Sequence, residues 1–197
     1  MRLFAAVLPP EDATAELESV VDELRKLPGA GGLRWTGRPG WHFTLAFYGE
    51  VADELVPDLS ARLERAARRT DPFELALRGG GRFGGRALWV GATGELRTMR
   101  LLAERAEAAG RKAGVPGDRG DRGHHGFHPH LTLARARERA DFAPYVSLLN
   151  AFAGRTWSVD ALHLVRSNLP RSGVQGEQPR YETQVRLPLG PGAGAQE

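Results

Sequence analysis

The chain has 197 residues, 41% hydrophobic and 26% charged, with a formal net charge of +3. That length suits one domain or two small lobes on a shared core, and the apolar share excludes a disordered chain. The absence of cysteine excludes disulfides, thiolate catalysis, zinc fingers and iron–sulfur clusters.

The positive charge sits mostly on scattered arginines and suits an anionic ligand, without the dense basic stripe of duplex-DNA binders. No apolar run is long enough to span a membrane, and residues 3–8 are too short for a secretion signal. A cytoplasmic protein is expected.

Residues 2–8 (RLFAAVL) read as a short buried strand. Pro9, Pro10, Glu11 and Asp12 then open a helix, with Leu17, Val20, Val21, Leu24 and Leu27 at helical spacing and Pro28-Gly29 as its stop. The glycine-rich stretch 29–40 reads as loop and 41–48 (WHFTLAFY) as a strand. Residues 53–69 return to helical periodicity, and 73–77 alternate as a strand. A second series follows: strand 86–91, helix 95–112, polar loop 114–126, strand 127–134, and helix 138–152 with a break expected at Pro144. Strands at 157–165 and 180–187 close the fold, and 190–197 (GPGAGAQE, from Gly190) is expected to be disordered.

The order of elements occurs twice. It predicts an α+β fold of duplicated, pseudo-two-fold lobes, each an antiparallel-rich sheet with helices on its outer face. Residues 1–189 would form a single bilobal domain with an active-site groove between the lobes. The halves fall near 1–80 and 81–189, and exchange of strands between lobes stays open.

Two copies of H-x-T-L carry the chemistry: His42-Phe43-Thr44-Leu45 and His130-Leu131-Thr132-Leu133. Residues two apart on a strand share a face, so each histidine is expected beside its threonine, with Phe43, Leu45, Leu131 and Leu133 turned to the core. Two imidazoles on opposite walls can act as base and acid in an in-line displacement at phosphorus. Two hydroxyls can donate to the non-bridging oxygens, and Arg135 is the candidate cation to grip them. A lone strand histidine is usually structural, and packing alone gives no reason to repeat one at matching positions. The chemical rival is a zinc-type site from Asp118, Asp121, His124, His125, His128 and His130, whose spacing fits no common zinc pattern. His124 and His125 read as solvated, His128 as a support for His130, and His163 as structural.

These residues resemble the two-histidine phosphoesterase superfamily, and within it the RNA 2′,3′-cyclic phosphodiesterases, also called 2′-5′ RNA ligases. RLFAAVLPP, HFTLAFYGE, ALWVG, FHPHLTLAR and the closing LHLVRSNL…YETQVRLPL carry the likeness over nearly the whole chain. The resemblance implies a metal-independent enzyme, with no cofactor, that opens a terminal 2′,3′-cyclic phosphate on RNA to a 2′-phosphate. It implies His42 as acid toward the 3′-oxygen, His130 as base for water, and Thr44, Thr132 and Arg135 as holders of the phosphate. Phe47 would face the nucleoside, with Pro129 and Leu131 nearby. Strict alternation puts Phe47 and Arg135 on the wrong face for this, so the strands would have to bend. The partner would be RNA with a cyclic phosphate end, or a cyclic nucleotide, bound by a monomer. The alternatives are ligation of tRNA halves, the same chemistry in reverse, or a non-catalytic RNA-end binding module.

Overall fold

The computed structural model describes residues 1–115, 127–169 and 178–191. The elements expected within the segment 116–126 and the tail 192–197 lie outside these residues, as do Asp118, Asp121, His124 and His125.

The chain begins with β1 (Arg2–Val7) and α1 (Glu11–Leu24), then β2 (Arg34–Trp35) and β3 (Phe43–Glu50). There follow α2 (Val56–Arg68), β4 (Phe73–Phe83), β5 (Ala87–Gly94) and α3 (Leu96–Lys112). The remainder is β6 (Leu131–Arg135), α4 (Ala143–Ala151), β7 (Ala153–Val159), β8 (Ala161–Asn168) and β9 (Arg180–Pro188).

Two antiparallel sheets result, one ordered β3-β1-β8-β9 and the other β2-β6-β5-β4-β7. Helices α2 and α3 pack on the first sheet; α1 and α4 pack on the second. Three of the helices show a clear apolar stripe: Ala13, Leu17, Val21 and Leu24 on α1, Leu59, Leu63, Ala66 and Ala67 on α2, and Met99, Leu102, Ala103 and Ala106 on α3. The first sheet joins the two ends of the chain, with β1 as an apolar inner strand, while the second comes from its middle.

Several elements differ from expectation. The stretch 157–165 is two strands, because the chain breaks at Asp160 and passes from the second sheet to the first. Strand β4 runs on through Gly79, Gly80 and Gly81, beyond its expected end at Leu77. Gly80 and Gly81 are needed there, since a Cβ on Gly80 would lie 2.5 Å from the Leu149 Cβ and one on Gly81 2.0 Å from the Trp89 ring. Helix α4 starts at Ala143 with Pro144 in its first turn, so the proline begins the helix where a break was expected. The loop 29–40 contains β2, which pairs with β6.

Candidate active site

Both histidines stand just ahead of a strand, His42 before β3 and His130 before β6. Phe43, Leu45, Leu131 and Leu133 are wholly buried in the core, as alternation requires. Leu131 therefore contributes nothing to the groove surface, contrary to its expected place near a nucleoside.

Each strand then carries a β-bulge at the same point. Along β3 the pairing to β1 passes from Thr44 to Ala46, and along β6 the pairing to β5 passes from Thr132 to Ala134. Two successive residues, Leu45-Ala46 and Leu133-Ala134, are thus buried together. The bulge returns the next residue to the histidine face. Phe47 accordingly stacks with Phe4 at 6.5 Å, and Phe4 lies 4.7 Å from the His42 ring. The bend that Phe47 and Arg135 needed is this bulge.

Both imidazoles are pinned by the same device. A ring nitrogen of His42 bonds the Gly40 carbonyl, and Nδ1 of His130 bonds the His128 carbonyl at 2.9 Å. Each acceptor lies two residues upstream of its histidine. A carbonyl only accepts, so Nδ1 of His130 carries the proton in this bond. The rings rest on aromatic walls. His42 meets Tyr181 at 5.0 Å, and His130 meets Phe83 at 4.8 Å and Trp89 at 6.3 Å. His128 stacks edge-on with Trp89 at 4.8 Å.

The two walls face each other closely enough to interact electrically. Burial lowers His42 to about 4, the bond to Gly40 opposes this, and the charge on His130 lowers it further. Tyr181, on β9 of the first sheet, is raised by burial and feels Arg135 and Arg34 of the second sheet, with Arg2. The Arg2 guanidinium lies 4.8 Å over the Phe47 ring. Thr44 and Thr132 lie half-buried in strands opposite Ala6 and Trp89. His163 lies opposite Ala6 on β8, and burial lowers its titration.

The loop ahead of His42 is stitched to the strand behind His130. The Thr36 amide donates to Leu133 at 2.8 Å, and the Trp41 indole to Thr36 at 3.0 Å. Arg38 binds Thr14 at 2.9 Å and Glu18 at 3.1 Å, and Gln178 bonds both Gly37 and Trp35. Sequence reasoning missed β2, Gln178 and the ring wall of Phe4, Tyr181, Phe83 and Trp89. The signal for Tyr181 was an aromatic residue at the head of a closing strand.

No cluster of three metal-ligating side chains occurs among the described residues. No described helix is long and apolar enough to cross a membrane.

The 2′-5′ RNA ligase superfamily matches residues 9–171. An RNA 2′,3′-cyclic phosphodiesterase of Thermus thermophilus is 34% identical over 179 residues, covering 88% of this chain and 85% of that protein. A crystal structure of a Thermus thermophilus protein superposes with a TM-score of 0.72 at 32% identity, over 96% of this chain and 98% of that one. Escherichia coli LigT complexed with 3′-AMP superposes with a TM-score of 0.71 at 25% identity, over 95% and 96% of the two chains. The match spans both histidine motifs and most elements of both sheets, so this chain belongs to the 2′-5′ RNA ligase superfamily.

Proposed function

We propose that this protein hydrolyses the terminal 2′,3′-cyclic phosphate of RNA to a 2′-phosphate by paired-histidine acid–base catalysis. The carrying observation is that both H-x-T-L histidines stand just ahead of a strand, each followed by a half-buried threonine and a β-bulge at the same point, with the His42 ring against Phe4 and Tyr181 and the His130 ring against Phe83 and bonded through Nδ1 to the His128 carbonyl. The curated relatives' activity and the 3′-AMP bound to the Escherichia coli neighbour support a nucleotide substrate.

In this reading water attacks phosphorus, the bond from phosphorus to the 3′-oxygen breaks, and that oxygen leaves as a hydroxyl. His130 takes the proton from water and His42 supplies one to the 3′-oxygen. In the free protein His42 is neutral at pH 7, because burial lowers it to about 4. A phosphate anion between the rings favours the protonated form and readies His42 as acid. Thr44 and Thr132 donate to the non-bridging oxygens, Arg135 neutralises their charge, and Phe47 with Phe4 and Tyr181 forms the nucleoside wall. No metal or organic cofactor takes part. One chain supplies both walls, so a monomer acting on cytoplasmic RNA suffices.

The test is to incubate the protein with an oligonucleotide ending in a cyclic phosphate and read the product. A 2′-phosphate with a free 3′-hydroxyl is expected. A 3′-phosphate, or binding without turnover at every pH, would defeat the reading. Ligation of tRNA halves would show as joined product that outpaces hydrolysis.

A further inference from the structure

A cavity of about 320 Å³ opens beside the second histidine, lined by Arg78, Trp89, Arg100, Phe127, His128 and Pro129. It shares the Trp89 ring with the groove, since that ring lies 4.8 Å from His128 and 6.3 Å from His130. Trp89 sits opposite Thr132 in the strand pairing, which puts the cavity on the histidine side of the second sheet. Arg78 and Arg100 are exposed, and neither has an ion-pair partner among the described residues.

An RNA that ends in a 2′,3′-cyclic phosphate continues in one direction only, through the 5′-oxygen of its last nucleotide. The next phosphodiester must therefore leave the groove past one of its walls. The cavity offers two guanidiniums for phosphate oxygens and two aromatic rings for a base. A second hollow of about 600 Å³ is lined by Arg2, Glu50, Arg166, Ser167, Asn168 and other residues. It has a carboxylate in its wall and no ring, which disfavours a phosphodiester.

We propose that the Arg78–Arg100 cavity binds the nucleotide on the 5′ side of the reacting one, with its phosphodiester at the guanidiniums and its base against Phe127 and Trp89. This rests on the cyclic-phosphodiesterase reading and extends it from a chain end to an RNA strand.

The experiment compares a mononucleoside 2′,3′-cyclic phosphate with a dinucleotide ending in the same group. The dinucleotide should be preferred in kcat/KM on the order of tenfold, through KM, as one stacked or charged contact provides. The preference should shrink as salt rises. In Arg78→Ala/Arg100→Ala, checked for folding by circular dichroism, the ratio should fall toward one. Equal use of both substrates by the wild type at low salt would overturn the proposal. So would a ratio that survives in the double variant, or one lost instead in Arg2→Ala/Arg166→Ala. Turnover of the mononucleotide without a dinucleotide preference defeats this inference alone, whereas no turnover of either substrate defeats the underlying reading with it.

Discussion

Leu45 and Leu133 hold the same place in their strands: each is passed over in the backbone pairing, between a threonine on the groove side and a buried alanine. The duplication therefore reaches past the histidines into backbone geometry. Each wall presents histidine, threonine and then the residue after the bulge, which is Phe47 on one side and Arg135 on the other. The symmetric frame thus ends in unlike residues, an aromatic ring on one strand and a guanidinium on the other.

In the proposed mechanism, replacing either histidine removes one half of the proton traffic. His42→Asn and His130→Asn should each lower kcat by about 10²–10⁴-fold, the range a positioned acid or base supplies. Both side chains border the groove, so the far-ultraviolet circular dichroism should stay native. A rate within a few-fold of wild type in either variant would remove that residue from the mechanism.

The depressed titration of His42 has a sign that can be checked. The free protein holds this ring neutral until the pH falls to about 4, against an ordinary 6.5. NMR titration of its imidazole resonances should give that low midpoint and show it rising when 3′-AMP is added, since an adjacent anion favours the charged ring. Stability follows the same direction. The unfolded chain binds this proton below about 6.5, so the contribution is present above that pH and is lost as pH falls toward 4. A midpoint near 6.5 in the free protein would mean the ring is not desolvated as described.

Much of this site could be read from the residues. The repeated H-x-T-L marked two histidines that stand at the same place ahead of their strands, and alternation gave the buried faces of Phe43, Leu45, Leu131 and Leu133. The bulge escaped because it depends on pairing with another strand, although both motifs continue as Thr-Leu-Ala with two adjacent core residues. Strand β2 escaped because Arg34 and Trp35 lie among glycines and are ordered by β6 rather than by local preference. The passage between sheets at Asp160 escaped because both strands have apolar faces and only the tertiary fold separates them.

Trp89 gives a test of how far its ring supports the second histidine. The indole lies across Gly81, where an added Cβ would fall 2.0 Å from Cζ2 and 2.3 Å from Cη2. Gly81→Ala must displace the ring, and with it the wall that Phe83, His128 and His130 share. Overpacking of this kind costs about 1–3 kcal/mol, and a ring moved beside His130 should lower kcat on the order of tenfold if that histidine is the proposed base. Indole fluorescence and kcat should shift together. Normal kcat with shifted fluorescence would show that the Trp89 ring does not position His130.

Gly110 sets two effects against each other at the junction of α3 and β3. Alanine in a helix interior is favoured over glycine by about 1 kcal/mol. Here an added Cβ would lie 2.7 Å from Cε1 and 2.9 Å from Cδ1 of Tyr48, whose hydroxyl donates to the Ala106 carbonyl at 2.9 Å. Tyr48 is fully buried, so its ring can yield only by pushing β3, the strand that follows His42, away from the helix. The overpacking penalty of about 1–3 kcal/mol exceeds the propensity gain. Gly110→Ala should therefore lower stability by about 1 kcal/mol, read as an earlier urea midpoint at unchanged slope. A later midpoint would show that the helix slides without resistance, and that close packing of α3 on β3 does not fix the position of the His42 strand.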